Sequence, residues 1–234
     1  MREKRNYYSS VLGTAFLWSS NITVMAAFGS VLQIPLQVPV MTRELSNKMY
    51  HPLAYLYGRL LSQYIIQIIP PTIMFACLFW STGMDRSWYN LTWIFLFGWA
   101  GDLVWTTMGF FIGLTVSDEG DAAKIVLVFC NIVFLSVNGA ILNPEKSNEW
   151  VKFLSSFTPG KFVTEGFFRC LTENVEYYPK KIPGIIDLSD DQAKILDTTG
   201  YHNENAKSLG LLYVWLGVWI LGSTVSIMWK YGRI

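Results

Sequence analysis

Apolar residues fill five long stretches of the chain, and charged residues fall almost entirely between them. No Asp, Glu, Lys or Arg occurs in residues 6–42, 60–84, 125–144 or 208–229, and residues 87–117 contain one charge, Asp102. A helix needs about 20 apolar residues to cross roughly 30 Å of hydrocarbon, so each stretch is long enough to span a bilayer. The pattern predicts an all-α membrane protein, a polytopic bundle of about five transmembrane helices.

Prolines and polar runs set the predicted boundaries within this single membrane domain of residues 1–234. Pro35 and Pro39 are expected to end the first span, and Pro70 with Pro71 to kink the second. A cytoplasmic segment should connect the first two spans, and a large extracellular loop should precede the last. We place the spans at 9–34, 60–82, 91–115, 122–143 and 208–229, the connecting segment at 35–59 and the loop at 144–206.

Basic residues near the span ends predict the orientation. Arg43, Lys48 and Arg59 lie between the first two spans and Lys230 follows the last, which puts both regions on the cytoplasmic side. Five spans then leave the three basic residues of the N-terminus outside, against the same rule. Either the orientation is reversed or a further span precedes these five.

The first part of the predicted loop is patterned rather than uniformly polar. Trp150, Phe153 and Phe157 recur at helical spacing, which predicts a short helix lying at the membrane interface or dipping into it. Thr158 and Pro159 should cap and begin the next helix. On that helix Lys161 and Glu165 are four residues apart and can pair.

Composition excludes several classes of protein. Hydrophobic residues make up 52% of the chain and charged residues 15%, against roughly a quarter charged in soluble domains. The net charge of +1 shows no basic excess, so we expect no nucleic-acid partner. Continuous rather than alternating apolar runs disfavour a β-barrel. Of three cysteines, Cys170 falls in the polar loop, where it is either a free thiol or an intermolecular disulfide.

Asp102 is the acid in the middle of a predicted span, where a charge costs about 2.5 to 3.5 kcal/mol. It is a proton or cation site, a polar contact in a substrate path, or a neutral acid bonded to a neighbouring helix. Asn131 and Asn138 leave a similar choice open. They are either interhelical contacts or the polar lining of a cavity formed with Met25, Phe28 and Leu135.

Enzyme signatures are absent from the sequence. His51 and His202 are far apart, on opposite sides of the membrane in the predicted topology, so we expect neither a metal site nor catalytic residues. No G-x-x-x-x-G-K-[ST] loop occurs, so this chain should bind no ATP and no other cofactor itself.

Four stretches, in order along the chain, carry a resemblance to a known family. They are IPLQVPVMTRELSNKMYHPLAYLYGR at 34–59, FWSTGM at 79–84, NGAILN at 138–143 and FLSSFTPGKFVTE at 153–165. The first resembles a Pro-containing turn leading to a basic-Glu pair and then tyrosines, and the last a Trp-Leu-Ser-x-Leu-Ser-Pro-Phe-Lys-Tyr-x-x-Glu stretch. In combination they resemble the ABC-2 type transmembrane domain of ABC transporters of subfamily G, the white, sterol and multidrug half-transporters.

The resemblance implies a function, partners and site residues. It implies the permease domain of an ATP-driven exporter of lipids, sterols or amphipathic molecules, working as a homo- or heterodimer by alternating access in the plasma membrane or an internal membrane. ATP and Mg would bind a nucleotide-binding domain that, with one further span, would precede this chain. Arg43 and Glu44 would open the helix that couples to that domain, and Met25 would lie where relatives place a substrate-stacking Phe.

Some residues depart from the family pattern, and other functions stay open. Gln63 stands where relatives usually have an acid, and Ile65, Ala140 and Asp102 also differ from the common residues, which leaves the substrate undetermined. The alternatives are an ion-coupled carrier or channel centred on Asp102, independent of ATP, and a membrane scaffold that transports nothing.

Overall fold

The computed structural model describes residues 2–81, 88–116, 120–142, 147–172, 201 and 205–232. Within these residues the chain forms helices joined by turns and contains no strand, which confirms the polytopic helical fold. The described helices are α1 (Arg2–Ser46), α2 (Pro52–Ile66), α3 (Ile69–Ser81), α4 (Trp88–Thr115), α5 (Gly120–Ser136), α6 (Glu149–Ser156), α7 (Pro159–Thr172) and α8 (Asn205–Tyr231).

Four helical segments in the described part of the chain are long and apolar enough to cross a membrane. They are Val11–Ser46, Pro52–Cys77, Trp88–Thr115 and Asn205–Tyr231. Parts of the predicted second span, fourth span and loop lie outside the described residues. They are the end of the second span and residues 143–146, 173–200 and 202–204 of the fourth span and loop.

The first helix does not end at its prolines, so the helix end expected at Pro35 and Pro39 is wrong. α1 is one continuous helix of 45 residues that contains both Pro35 and Pro39. At 1.5 Å per residue it is about 67 Å long, roughly twice the thickness of the hydrocarbon. Ile34, Met41 and Leu45 on its buried side pack in one cluster with α2, and this packing outweighs the local cost of the prolines. The predicted connecting segment is therefore the end of α1, a turn and the start of α2.

The second predicted span is broken where the sequence predicts a kink. α2 ends at Ile66 and α3 begins at Ile69, so the break precedes Pro70 and Pro71 directly. These prolines have no N–H, so the carbonyls of Ile66 and Gln67 lack the i+4 donors that a continuous helix would supply.

The helix in the fourth predicted span is shorter than expected: α5 has 17 residues and ends at Ser136 instead of residue 143. Near its end, the ring of Phe134 lies 5.6 Å from that of Trp105, well inside α4. The chain then leaves the helix with Asn138 and Gly139 buried. Gly139 has a φ of 93°, a conformation that a glycine adopts without strain.

The remaining length of this predicted span is occupied by α7, which packs inside the bundle although the sequence places it in an extracellular loop. It contacts α1, α4 and α8, and residues 162–168 are buried. A Cβ atom on Gly160 would lie 3.8 Å from the Trp105 ring, and one on Gly166 would lie 2.6 Å from the Phe97 ring. α7 therefore begins beside Trp105, where α5 ends, and runs antiparallel to α4, from Trp105 towards Phe97. Two half-length helices, α5 and α7, thus lie along α4 in place of one span, and such a break is tolerated in a membrane only where protein surrounds it.

The short helix before α7 confirms the amphipathic pattern. In α6, Trp150 and Phe153 are exposed, whereas Ser155 is buried. The Thr158 hydroxyl donates a hydrogen bond to the carbonyl of Leu154 at 2.8 Å, in the last turn of α6. The Phe157 ring meets that of Trp215 in α8 edge to face, at 5.9 Å.

Candidate functional site

An exposed apolar surface, here named the α1–α5 face, contains part of the predicted cavity. Met25 is 72% exposed near the middle of the membrane-crossing part of α1. Phe28 is half-buried in a cluster that joins α1, α4 and α5, and Leu135 is half-buried on α5. The face consists of Leu17, Met25, Leu32 and Leu36 of α1 and Ile125, Phe129 and Ile132 of α5.

The two asparagines predicted for the cavity lie inside the protomer instead. Asn131 is 4% exposed, and its amide donates to the carbonyl of Leu127 at 3.0 Å. Asn138 is fully buried, and its side chain accepts a hydrogen bond from the backbone N–H of Ala140 at 3.0 Å. The structure therefore separates Asn131 and Asn138 from Met25, because they satisfy backbone groups of α5 and of the turn that follows it.

A buried polar cluster holds the junction between α5 and α7. The Thr164 hydroxyl of α7 lies 2.6 Å from the Ser19 hydroxyl of α1 and 3.4 Å from the amide nitrogen of Asn138. The Tyr201 hydroxyl donates to the carbonyl of Asn138 at 3.1 Å. These bonds connect α1, the end of α5 and α7, and so replace the helical hydrogen bonds that the break removes.

Glu165 is the centre of a second buried contact, which ties α7 to α8. Its carboxylate is fully buried, with Oε1 3.8 Å from Nε of Arg169, and Oε2 accepts from the Ser208 hydroxyl at 3.4 Å. The predicted partner, Lys161, is half-buried one turn earlier on the same helix. Sequence reasoning missed Arg169, although its i+4 spacing from Glu165 was a usable signal, and nothing local indicated Ser208.

Asp102 lies in the core of the bundle, 2% exposed, between α4 and the break that separates α2 from α3. Its Oδ1 accepts a hydrogen bond from the Gln67 side chain at 3.0 Å, and Gln67 in turn accepts from Gln63 at 3.3 Å. Beside them the Tyr64 hydroxyl lies 2.6 Å from that of Thr107. The aspartate is thus bonded to another helical element, and no cation pairs with it in the described part of the chain.

The residues predicted for coupling lie at the C-terminal end of α1, where they close that helix instead of opening a new one. Arg43 is exposed in the last turn of α1. Glu44 accepts a hydrogen bond from the hydroxyl of Tyr50, in the turn that follows. The Tyr50 ring stacks on that of Tyr55, with centroids 6.0 Å apart, and Tyr55 donates to Gln37 at 3.1 Å. Glu44 is therefore held against the α1–α2 turn.

We expect the phenol of Tyr50 to stay neutral well into the alkaline range. Partial burial, and then the hydrogen bond to Glu44, raise its pKa from 10.0 to about 12. Because this pKa is raised on folding, the contact stabilises the turn fully below pH 10, and the stabilisation is lost as the pH rises through about 12. The measurement is the tyrosinate absorbance of the full chain minus that of Tyr50→Phe. A difference curve centred near pH 10 would contradict the contact.

The remaining predicted residues form no chemical centre. Cys170 is 4% exposed in the cluster around α7, and its sulfur accepts a hydrogen bond from the side-chain amide of Asn205 at 3.9 Å, so it lies inside one protomer and is not placed to reach a second chain. Among the described residues no group of three His, Cys, Asp or Glu side chains could hold a metal ion. His51 caps α2, and His202 lies outside the described residues.

Comparison with known proteins assigns the family. A model of the ABC-2 type transporter family matches residues 3–171, which is well over half of the chain and runs from α1 into α7. A search of curated proteins finds no match. Given the match and the helical membrane bundle, the chain belongs to the ABC-2 type transporter family, whose domains form the permease part of ABC-type exporters.

Proposed function

We propose that this permease domain exports lipids, sterols or other amphipathic molecules, and that it works as a dimer in which the α1–α5 faces of two protomers enclose the substrate. The continuity of α1 supports this proposal most directly. Met25 on the α1–α5 face and Glu44 near the C-terminal end of α1 belong to one unbroken helix. They are 19 residues apart, or about 28 Å.

The surface chemistry of the α1–α5 face favours an amphipathic substrate. Its apolar side chains offer contact area without charge, and Asn21 is the exposed amide among them, on α1. Ligand sites of this kind combine apolar walls with a few polar groups that orient the ligand. Met25, Phe28 and Leu135 would touch the substrate. Asn131 and Asn138 would stabilise the backbone of α5 and of the turn that follows it, behind these side chains.

Energy for transport would come from ATP bound with Mg to a nucleotide-binding domain at the cytoplasmic turn. Arg43 is exposed for contact with that domain, whereas Glu44 is fixed by Tyr50. A rigid helix transmits a displacement at one end to the other without a hinge, so ATP-driven closure at the turn would move the α1–α5 face. Alternating access would follow from the two positions of this helix.

The test is transport by the permease assembled with its nucleotide-binding domain in liposomes that contain a fluorescent phosphatidylcholine or a fluorescent sterol. We expect ATP-dependent movement of at least one probe. Met25→Ala should reduce its apparent affinity several-fold, because the side chain provides exposed contact area in the cavity. The matched control is Met228→Ala on the outer side of α8, which should leave transport unchanged.

Glu44→Gln separates coupling from binding in the same assay. It should lower substrate-stimulated ATP hydrolysis and transport together while the probe still binds. Transport driven by an ion gradient with this chain alone would instead favour the carrier centred on Asp102. A lack of flux under either condition, with probe binding lost as well, would favour a scaffold.

A further inference from the structure

We propose that the break between α2 and α3 and the facing side of α4 form a binding site for one monovalent alkali cation, with Asp102 as its charged ligand. This site lies apart from the α1–α5 face and does not depend on the proposed substrate or on ATP. Its ligands would come from Asp102, Thr106 and the broken helix.

The buried carboxylate of Asp102 favours a bound cation. Asp102 is 98% inaccessible, and one of its oxygens is bonded to a neutral amide, that of Gln67. Among the described residues its second oxygen, Oδ2, has no hydrogen-bond partner. A charged group in the bundle core needs a compensating charge. The nearest basic residue along α2, Arg59, is bonded to Gln33 at 2.7 Å.

Further oxygen atoms without donors lie on the two elements that meet at Asp102. Thr106 is fully buried one turn along α4 from Asp102, and its hydroxyl also has no partner among the described residues. Residues four apart on a helix share one side, with Cβ atoms about 5 to 6 Å apart. On the opposite element the carbonyls of Ile66 and Gln67 lack their i+4 donors because residues 70 and 71 are prolines. Interrupted helices supply such carbonyls to alkali ions.

Because the site contains a single carboxylate, we expect the bound ion to be monovalent. A monovalent cation beside one aspartate gives a neutral site, whereas a divalent cation would leave a net positive charge in the low-dielectric core. The site also offers oxygen ligands without nitrogen or sulfur, whereas zinc and copper prefer nitrogen and sulfur ligands. Binding would therefore draw α4 and the α2–α3 break together through charge and oxygen contacts.

The experiment is thermal unfolding of the detergent-solubilised full chain in choline chloride at constant ionic strength, with LiCl, NaCl or KCl replacing choline. We expect one alkali ion to raise the apparent Tm in a saturable way, because a ligand that binds the folded state stabilises it by RT ln(1 + [L]/Kd). The nearly isosteric Asp102→Asn should abolish this rise. Thr106→Val should raise the half-saturating concentration by about tenfold, the loss expected for one charge-assisted contact.

Thr107→Val is the matched control, because Thr107 is equally buried on α4 but its hydroxyl already contacts Tyr64 and the carbonyl of Leu103. It should lower the Tm and keep the ion dependence. The proposal is overturned if no alkali ion differs from choline, or if Asp102→Asn keeps the response. It also fails if acidification in choline alone reproduces the whole stabilisation, since the neutralising ion is then a proton.

Discussion

Gly101→Ala should lower the thermal stability of the full chain markedly, although it adds one methyl group in the middle of a helix. A Cβ atom at this position would lie 2.8 Å from Cγ2 and 3.4 Å from Cγ1 of Val163. Val163 is fully buried, and a β-branched side chain has few rotamers with which to escape. Overpacking of this kind costs about 1 to 3 kcal/mol. The effect should appear as a lower apparent Tm in intrinsic tryptophan fluorescence.

A double-variant cycle distinguishes the steric conflict from other effects of the substitution. Val163→Ala alone leaves a cavity and should destabilise the chain, but in Gly101→Ala it removes the two clashing carbons. The pair should therefore cost less than the sum of the single variants. Gly217→Ala in α8 is the control, because nothing lies within 4 Å of its Cβ position. There alanine should stabilise the helix by about 0.5 to 1 kcal/mol. Equal behaviour of Gly101→Ala and Gly217→Ala would show that α7 does not pack against α4 here.

Charge-free intervals predict the helices of this fold well, because a helix that crosses a bilayer needs only to be long enough and apolar enough. They do not predict where a helix stops inside an apolar run. α5 ends at Ser136, whereas the uncharged residues continue to 144. Asn138 and Gly139 are a turn signal, but the turn is held by Thr164 and Tyr201, which contact Asn138 from distant parts of the chain, and Ser19 contacts Thr164 in turn.

Local rules also failed where tertiary packing opposes them. Pro35 and Pro39 indicate a helix end, yet the buried side of α1 continues through Met41 and Leu45. In the candidate site, Met25 and Phe28 could be assigned to α1 from their spacing. The placement of Asn131 and Asn138 inside the protomer could not, because a helical pattern shows which residues share a face and not which helix covers it.

In α7, we expect Arg169→Gln to be among the most destabilising substitutions in the chain. Glu165 is fully buried beside it, so the variant leaves a buried carboxylate without the guanidinium. Removing one partner of a buried ion pair costs about 3 to 5 kcal/mol. Glu165→Gln should cost less, since Arg169 is partly exposed and can reach water. The double variant Glu165→Gln/Arg169→Gln should recover much of the loss.

A surface pair tests whether burial or distance determines this cost. Lys124 and Asp121 on α5 approach to 2.7 Å, closer than the 3.8 Å between Arg169 and Glu165, but Asp121 is 92% exposed. Exposed pairs contribute about 0 to 1 kcal/mol because water screens both charges. Lys124→Gln should therefore change the apparent Tm little, whereas Arg169→Gln should lower it strongly. Equal shifts in the two variants would mean that Glu165 is solvated, and that α7 does not lie inside the membrane bundle.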